Sequence, residues 1–408
     1  MSASRPLVIG GIASLLLSGC LGVSSEIVSP TPSSLRIALF NVMELSAAKL
    51  AAVDATGAGT DPQLLAVAQI IQAIRPQVLV LQEIDLPQAP DGSVVGDAAA
   101  NARRFADAYL ARGPKALEFP HAFAAPTSTG VLTGLDLNGD GHVATPADRG
   151  ERRHGDDCFG YGVYPGQYSM AVLSRLPLAA GELRSFQRLL WKDLPGHHLP
   201  ADFYAPAARD LLRLSSKSHW DLPVQVGDRR IHLLISHPTP PAFDGPEDRN
   251  GRRNFDEIRL WRLYLDGEPS LVDDQGGRGG YGSDDPFVVI GDLNASPFAA
   301  DTLYDGRTAI SQLLEHPRVQ DTGSVCISQG GLAHGGGVPG PPSWPEQNTA
   351  EFLGGRRVDY VLPSKELQVL GGGVHWPAED QDPAAHARAK AASDHHLVWV
   401  DVALPPPR

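Results

Sequence analysis

Six short polar motifs, most of them at the end of an apolar run, are the residues of this chain best suited to chemistry. Asn41 follows Phe40, Gln82-Glu83 follows Leu81, and His237 follows Ile235-Ser236. Gly291-Asp292-Leu293-Asn294 closes a further run, and Arg357-Val358-Asp359-Tyr360 and Ser393-Asp394-His395 come later. A carboxylate such as Glu83, helped by Asn41 and Asp394, offers the oxygen ligands that a hard cation such as Mg²⁺ or Mn²⁺ takes. Hydrolysis at phosphorus also needs a group that orients and deprotonates water, and another that stabilises or protonates the oxyanion side. Asp292, Asn294, His237 and His395 are residues of those types. Any one of them alone reads as readily as a turn or a cap, and Gly-Asp-Leu-Asn by itself fits an Asx-turn. The information lies in their order and spacing.

The elements that must position these residues are short and β-branched. Residues 36–40, 78–81, 170–173, 231–235, 287–290, 358–362 and 397–400 read as strands, several continuously apolar and therefore buried on both faces. Between the first two lies a helix: Asp61 can cap it, Pro62 fits its first position, Leu64, Ala68, Ile71 and Ile74 share a face, and Pro76 stops it. Residues 97–112 and 255–266 read as two more helices, the latter with Phe255, Ile258, Trp261 and Leu265 inward. Strands alternating with helices around buried sheets give an α/β layered domain. Residues 127–167 and 322–356 are long Gly-rich loops of the kind that carries function.

Taken together, Phe40-Asn41-Val42, Leu81-Gln82-Glu83, Leu173-Ser174-Arg175, Gly291-Asp292-Leu293-Asn294, Arg357-Val358-Asp359-Tyr360 and Ser393-Asp394-His395 form an ordered set. It resembles the motif set of the endonuclease/exonuclease/phosphatase family, which includes DNase I, abasic-site endonucleases, neutral sphingomyelinases and inositol polyphosphate phosphatases. The resemblance spans residues 35–402. It implies an α/β four-layer sandwich of two packed mixed β-sheets flanked by helices. It also implies a divalent-metal-dependent phosphoesterase in which Glu83 with Asn41 anchors the metal and Asp394 lies near it. Asp292 and Asn294 would orient water and the scissile phosphate, and His395, fixed by Asp359, would act on the phosphate. His237 stands where DNase I carries its other active-site histidine. Where that histidine has a carboxylate partner, this chain offers Gln167, which can orient an imidazole but not stabilise its cation.

The chain has 408 residues and a net charge of −13 at pH 7, with no long-range basic field to collect nucleic acid. An acidic protein still binds phosphates through cations or a local arginine cluster. Arg249, Arg252 and Arg253 form such a cluster, and Arg252 and Arg253 are the candidates for substrate phosphate. Ion pairing with Glu247, Asp248, Asp256 and Glu257 is the alternative. Asp136, Asn138 and Asp140, with Gly141 sixth, are spaced as in a calcium loop, but the twelfth position is Ala147, and a polar turn is the competing reading.

Residues 1–19 carry Arg5, an apolar run too short to span a bilayer, and Leu17-Ser18-Gly19 before Cys20. The four residues resemble a bacterial lipobox, which implies a lipoprotein signal peptide, acylation of Cys20 and export to the bacterial cell envelope. Residues 20–34 then read as a lipidated tether and 35–404 as one catalytic domain. In an oxidising compartment the remaining Cys158 and Cys326 are expected to pair. The first expectation for the substrate is a phosphodiester of nucleic acid; a phospholipid or inositol phosphate is the second, and a non-catalytic surface binding protein on the same fold is the alternative of another class. No protein partner can be inferred.

Overall fold

The computed structural model describes residues 1–2, 34–297, 302–335 and 344–404, and every element below lies in the unit that begins at Pro32. Cys20 and residues 3–33, which hold nearly all of the expected signal peptide and tether, lie outside the described residues.

Eleven strands are assigned among the described residues. β1 (Ser34–Leu45), β2 (Val78–Ile84), β3 (His121–Phe123), β4 (Ser169–Ser174), β10 (Val369–Val374) and β11 (Val398–Ala403) make one sheet in the order β10-β11-β1-β2-β4-β3. β5 (Arg184–Ser185), β6 (His219–Val226), β7 (Arg229–Ser236), β8 (Phe287–Asp292) and β9 (Asp359–Pro363) make the second, in sequential order. Each sheet is mixed: β1 and β2 run parallel, as do β7 and β8, and the other pairings are antiparallel.

Strand alternation assigns the layers. Ile37, Leu39, Val78, Val80 and Val172 of the first sheet meet Leu222, Val224, Leu233, Ile235 and Ile290 of the second in one core. Their neighbours Ala38, Phe40, Leu79 and Leu81 face outward onto the helix Pro62–Ile74, here α1, through Leu64, Val67 and Ile71. Leu234, Val289 and Leu362 face the opposite way onto the helix Arg249–Leu265, here α2, through Phe255, Ile258 and Trp261. Strands packed on both sides must be apolar at every position, which is why their sequences run continuously rather than alternating. This is the four-layer α/β sandwich.

Local signals in α1 are realised directly. Asp61 Oδ1 accepts from the Leu64 amide at 3.0 Å and Pro62 is the first helical residue, an N-cap worth about 1 kcal/mol. The segment read as a helix over 97–112 is shorter, α-helical over Ala100–Phe105 and then wound as a π turn over Ala106–Leu110. α2 begins six residues before the expected Phe255, so the arginine cluster belongs to the helix. β6 and β10 were not read from sequence. β6 contains Asp221 and Pro223, which break the strand signal, and β10 contains Gly371-Gly372-Gly373. A Cβ at Gly373 would lie 2.4 Å from the Trp399 ring, so the indole of the paired strand requires glycine there.

The expected disulfide is not formed. Cys158 and Cys326 are both free and buried: the first donates to His154 O at 3.0 Å, while the second sits in the inter-sheet core against Trp399 O. Burial pushes the Cys158 thiol up to about 12 and the Cys326 thiol up to about 11. Neither is the exposed thiolate that an oxidising environment threatens, and this is where the compartment argument fails. Among the described residues no helix is long and apolar enough to cross a membrane.

Candidate active site

Polar residues gather where strands of both sheets end together. Asn41 lies in β1 and Glu83 in β2, His237 one residue beyond β7, Asp292 at the end of β8 and Asp359 at the start of β9. Asp292 and Asp359 face each other in the β8–β9 register. His395 precedes β11, its backbone bridging to Ala350. The two sheets are tied at this point by Gln82: its Nε2 donates to Ser236 O at 2.8 Å, and its Oε1 accepts from the Asp292 amide at 2.8 Å. One side chain from β2 thus fixes the ends of β7 and β8. A Cβ at Gly291 would fall 1.9 Å from Ser236 O, so the glycine before Asp292 is what lets the two strands close here.

Asp292 is the hub. Its Oδ2 accepts from Asn41 Nδ2 at 3.0 Å and stands 3.5 Å from His237 Nε2 and 3.7 Å from His395 Nε2. Its Oδ1 accepts from the Asn294 amide at 2.9 Å, while Asn294 Nδ2 donates to Pro238 O and so holds the segment carrying His237. His395 Nδ1 pairs with Asp359 Oδ2 at 2.9 Å. Asn41 Nδ2 also reaches Glu83 Oε1 at 3.1 Å, and Ser393 Oγ donates to Asn41 O at 2.8 Å, which ties the segment carrying Asp394 and His395 to β1. Backbone strain accompanies the arrangement: Met43, Glu44, Glu83, Tyr168 and Asn294 all have positive φ, a conformation that non-glycine residues adopt at a cost of about 1 to 3 kcal/mol each and that concentrates at functional sites.

The two imidazoles are driven apart electrically. Burial opposes the charging of His395, but Asp359 and Asp292 outweigh it and push the group up to about 10. Burial, then Lys217 and His395, hold His237 well below its ordinary value, so it is neutral. Burial and the charge of Asp359 push Asp292 up to about 7 against the pull of His395. His237 Nδ1 is buried without a partner among the described residues.

The expected partner for that nitrogen, Gln167, is engaged elsewhere: its Nε2 donates to Glu44 Oε1 at 2.7 Å and its Oε1 accepts from the Val163 amide. Burial, followed by the charges of Glu44 and Glu83, pushes the Tyr168 phenol up to about 12. Glu44 is thus a further carboxylate near the site. It sits in the residues after Asn41, where sequence gave no signal for it.

Asp292, Asp359 and His395 present donor atoms within 4.8 Å of one another, but Asp359 is occupied in orienting His395. Glu83 and Asn41, joined by the 3.1 Å contact, offer oxygens of the kind a hard cation takes.

The remaining candidates are placed differently from expectation. Arg253 is buried and spends its guanidinium on carbonyls, Leu214 O and Arg213 O at 2.9 Å and Phe159 O at 2.5 Å, so it is a strut and not a phosphate ligand. Arg252 Nε donates to Glu247 O, with its guanidinium over the Tyr304 ring. In the loop with calcium-type spacing the oxygens close on their own turn. Asp136 accepts from the Gly139 and Gly141 amides, Asn138 from Asp140, and Asp140 from His142, the pattern of a polar turn.

Lys217 was not singled out from the sequence. It lies two residues before β6, and its side chain is buried where Glu257, Glu83 and Asp292 are its nearest opposite charges. Burial lowers its pKa and these carboxylates pull it back up.

The model of the Endonuclease/Exonuclease/phosphatase family matches residues 38–395. No relative among curated proteins matches significantly. Of solved structures, an endonuclease/exonuclease/phosphatase from Beutenbergia cavernae is 21% identical with a TM-score of 0.46, the match covering 91% of this chain and 72% of that one. A family protein from Leptotrichia buccalis is 11% identical with a TM-score of 0.48, covering 91% of this chain and all of the other (100%). A mannosyl-6-phosphatase from Bacteroides thetaiotaomicron is 13% identical with a TM-score of 0.43, over 91% and 100% of the two chains. The family model takes in every catalytic and metal-ligand candidate of both sheets, from Asn41 to His395, and on that match the chain belongs to the endonuclease/exonuclease/phosphatase family.

Proposed function

We propose that this chain is a divalent-metal-dependent phosphodiester hydrolase. One observation carries the reading: His237 and His395, the first neutral and the second cationic, approach the same Asp292 oxygen at 3.5 Å and 3.7 Å, with Asp359 fixing the second imidazole. Groups with environments that drive their protonation apart are the signature of acid/base work. Bound at Glu83, Asn41 and Asp394, Mg²⁺ or Mn²⁺ would supply charge stabilisation to a phosphate oxygen.

The chain's own residues account for the rest. Cationic His395, held by Asp359, stabilises charge on the phosphate and can give up its Nε2 proton. Asp292 is placed to orient water, since its Oδ2 faces both imidazoles. Neutral His237 hydrogen-bonds to the phosphate rather than neutralising it. Nucleic acid is our first substrate, with a phospholipid or inositol phosphate as the second.

The purified protein should hydrolyse bis-p-nitrophenyl phosphate with Mg²⁺ or Mn²⁺, stop with chelator and recover when the metal is returned. Plasmid DNA, RNA and sphingomyelin in parallel assign the substrate class. Inactivity on all four with every metal would sink the proposal.

We also infer from the lipobox-like residues ending at Cys20 that the protein is exported and acylated in the cell envelope. Cys20→Ala should move it from the detergent phase to the aqueous phase in a partition experiment while leaving hydrolysis unchanged. Equal partition of variant and wild type would refute the anchor.

A further inference from the structure

We propose that Lys217 is the phosphate-binding cation of this site, a catalytic residue that grips a non-bridging oxygen of the scissile phosphate. The proposal rests on the phosphoesterase reading above and adds to it the group that recognises the substrate's charge.

Lys217 is only 7% exposed, yet its ammonium makes no hydrogen bond or ion pair among the described residues. A buried cation left without a bonded partner is costly unless something else supplies one. The most obvious internal partner is Glu257, and its carboxylate is already taken. Oε1 accepts from the Ser216 amide at 2.7 Å and from Ser216 Oγ at 3.1 Å, while Oε2 accepts from the Thr239 amide at 2.6 Å. Glu257 therefore lends a background field but leaves the ammonium open.

Where the open donor stands follows from topology. The β6–β7 pairing ends at His219 and Ser236. Lys217 lies two residues beyond the pair on one strand and His237 one residue beyond on the other, so both emerge at the edge where Asp292 ends β8. Their charges are felt mutually: Lys217 disfavours the His237 cation, and Glu83 and Asp292 favour that of Lys217.

The lysine backbone is fixed in advance. Ser128 N donates to Lys217 O at 2.9 Å, and Ser216 O packs so closely on Gly160 that a Cβ there would fall 1.7 Å from it. An ammonium carried on a fixed backbone among acidic groups fits an anion that arrives with a cation of its own. A phosphodiester bound to a divalent metal is such a ligand, and the point charge of a lysine suits one of its oxygens.

The test compares Lys217→Met and Lys217→Arg with wild type on bis-p-nitrophenyl phosphate, using inorganic phosphate as competitor. Losing one preorganised donor to a transition-state oxyanion costs about 10²- to 10³-fold in kcat. Lys217→Met is expected to fall in that range and to bind inorganic phosphate at least about tenfold more weakly, with Lys217→Arg recovering part of both. A purely structural role, neutralising Glu257, predicts instead that the double variant Lys217→Met/Glu257→Gln regains wild-type rate and phosphate affinity; that outcome overturns the proposal, as does wild-type phosphate affinity in Lys217→Met. If the wild-type protein hydrolyses none of the phosphodiesters, the functional reading fails on its own. Calorimetric binding of inorganic phosphate to wild type and Lys217→Met, with Mg²⁺ present, then still decides the role of the lysine: equal affinity or no binding to either rejects it.

Discussion

Folded His395→Ala is expected to lose about 10²- to 10⁴-fold in hydrolysis rate, the usual contribution of a positioned acid/base group, and no concentration of metal should restore it. The alanine removes the imidazole proposed to act on the phosphate, whereas Glu83→Gln keeps the shape of its side chain and removes the charge proposed to hold the cation. Its activity should be low but partly recoverable at high Mg²⁺ or Mn²⁺. Asp359→Asn should fall between wild type and His395→Ala, because the imidazole stays while its 2.9 Å contact to a charge is lost. The pH dependence follows from the same pair. His395 is raised to about 10 in the fold, so its cation is present at neutral pH and is lost as the pH rises through that region. Stability linked to this group is fully present below the ordinary histidine value of about 6.5 and declines as the pH climbs toward the folded value. In Asp359→Asn the alkaline fall in rate should begin at lower pH. Circular dichroism must first establish that the variants are folded. Near-normal, chelator-sensitive hydrolysis by folded His395→Ala would mean that this is not the site.

The second large effect is expected at Asp292. Asp292→Asn takes away the carboxylate that faces both imidazoles and sets a donor against a donor, since the new amide nitrogen would meet Asn41 Nδ2 at about the present 3.0 Å. Asn41 in turn contacts Glu83. One substitution thus removes a raising influence on His395, disturbs Asn41, a proposed metal ligand, and takes the charge from the carboxylate proposed to orient water. We expect a loss at least as large as that of His395→Ala, of the order of 10²- to 10⁴-fold, with His395 titrating at lower pH when followed by NMR. An unshifted His395 titration would show that the two groups are not coupled as the distances indicate.

Much of this site was legible because its residues interrupt apolar runs. Asn41, Glu83, His237 and Asp292 each follow an apolar run, and their polarity marks where regular core packing stops, at a strand end or, for Asn41, where the regular β1–β2 register breaks inside β1. The α1 boundaries were readable for a similar reason: Asp61, Pro62 and Pro76 act through the backbone alone. What stayed hidden depends on tertiary phase. Arg252 and Arg253 are neighbours with the same chemistry, and only the start of α2 at Arg249 decides which points inward. Lys217 sits in a polar stretch, Ser215 to His219, that no periodicity marks as buried; it becomes so because β6, β7 and Glu257 converge around it. Gln82 was visible within its motif, but its two bonds to the opposite sheet belong to a packing that sequence does not encode locally. The two cysteines show the converse error, a sound general argument about compartments applied to thiols that the core already protects.

The Gln82 bridge makes the centre a joint between two half-sites. Asn41, Glu83, Asp394 and His395 come from the first sheet and its flanks, while His237, Asp292, Asn294, Asp359 and Lys217 come from the second, whose strands occupy one uninterrupted stretch of chain from Arg184 to Pro363. A recombination event that exchanged that stretch between relatives would carry five of these nine candidate residues together and leave the other four in place. The hybrid would have to re-form, across the new seam, the Gln82 contacts to Ser236 O and the Asp292 amide together with the Asn41–Asp292 and His395–Asp359 contacts.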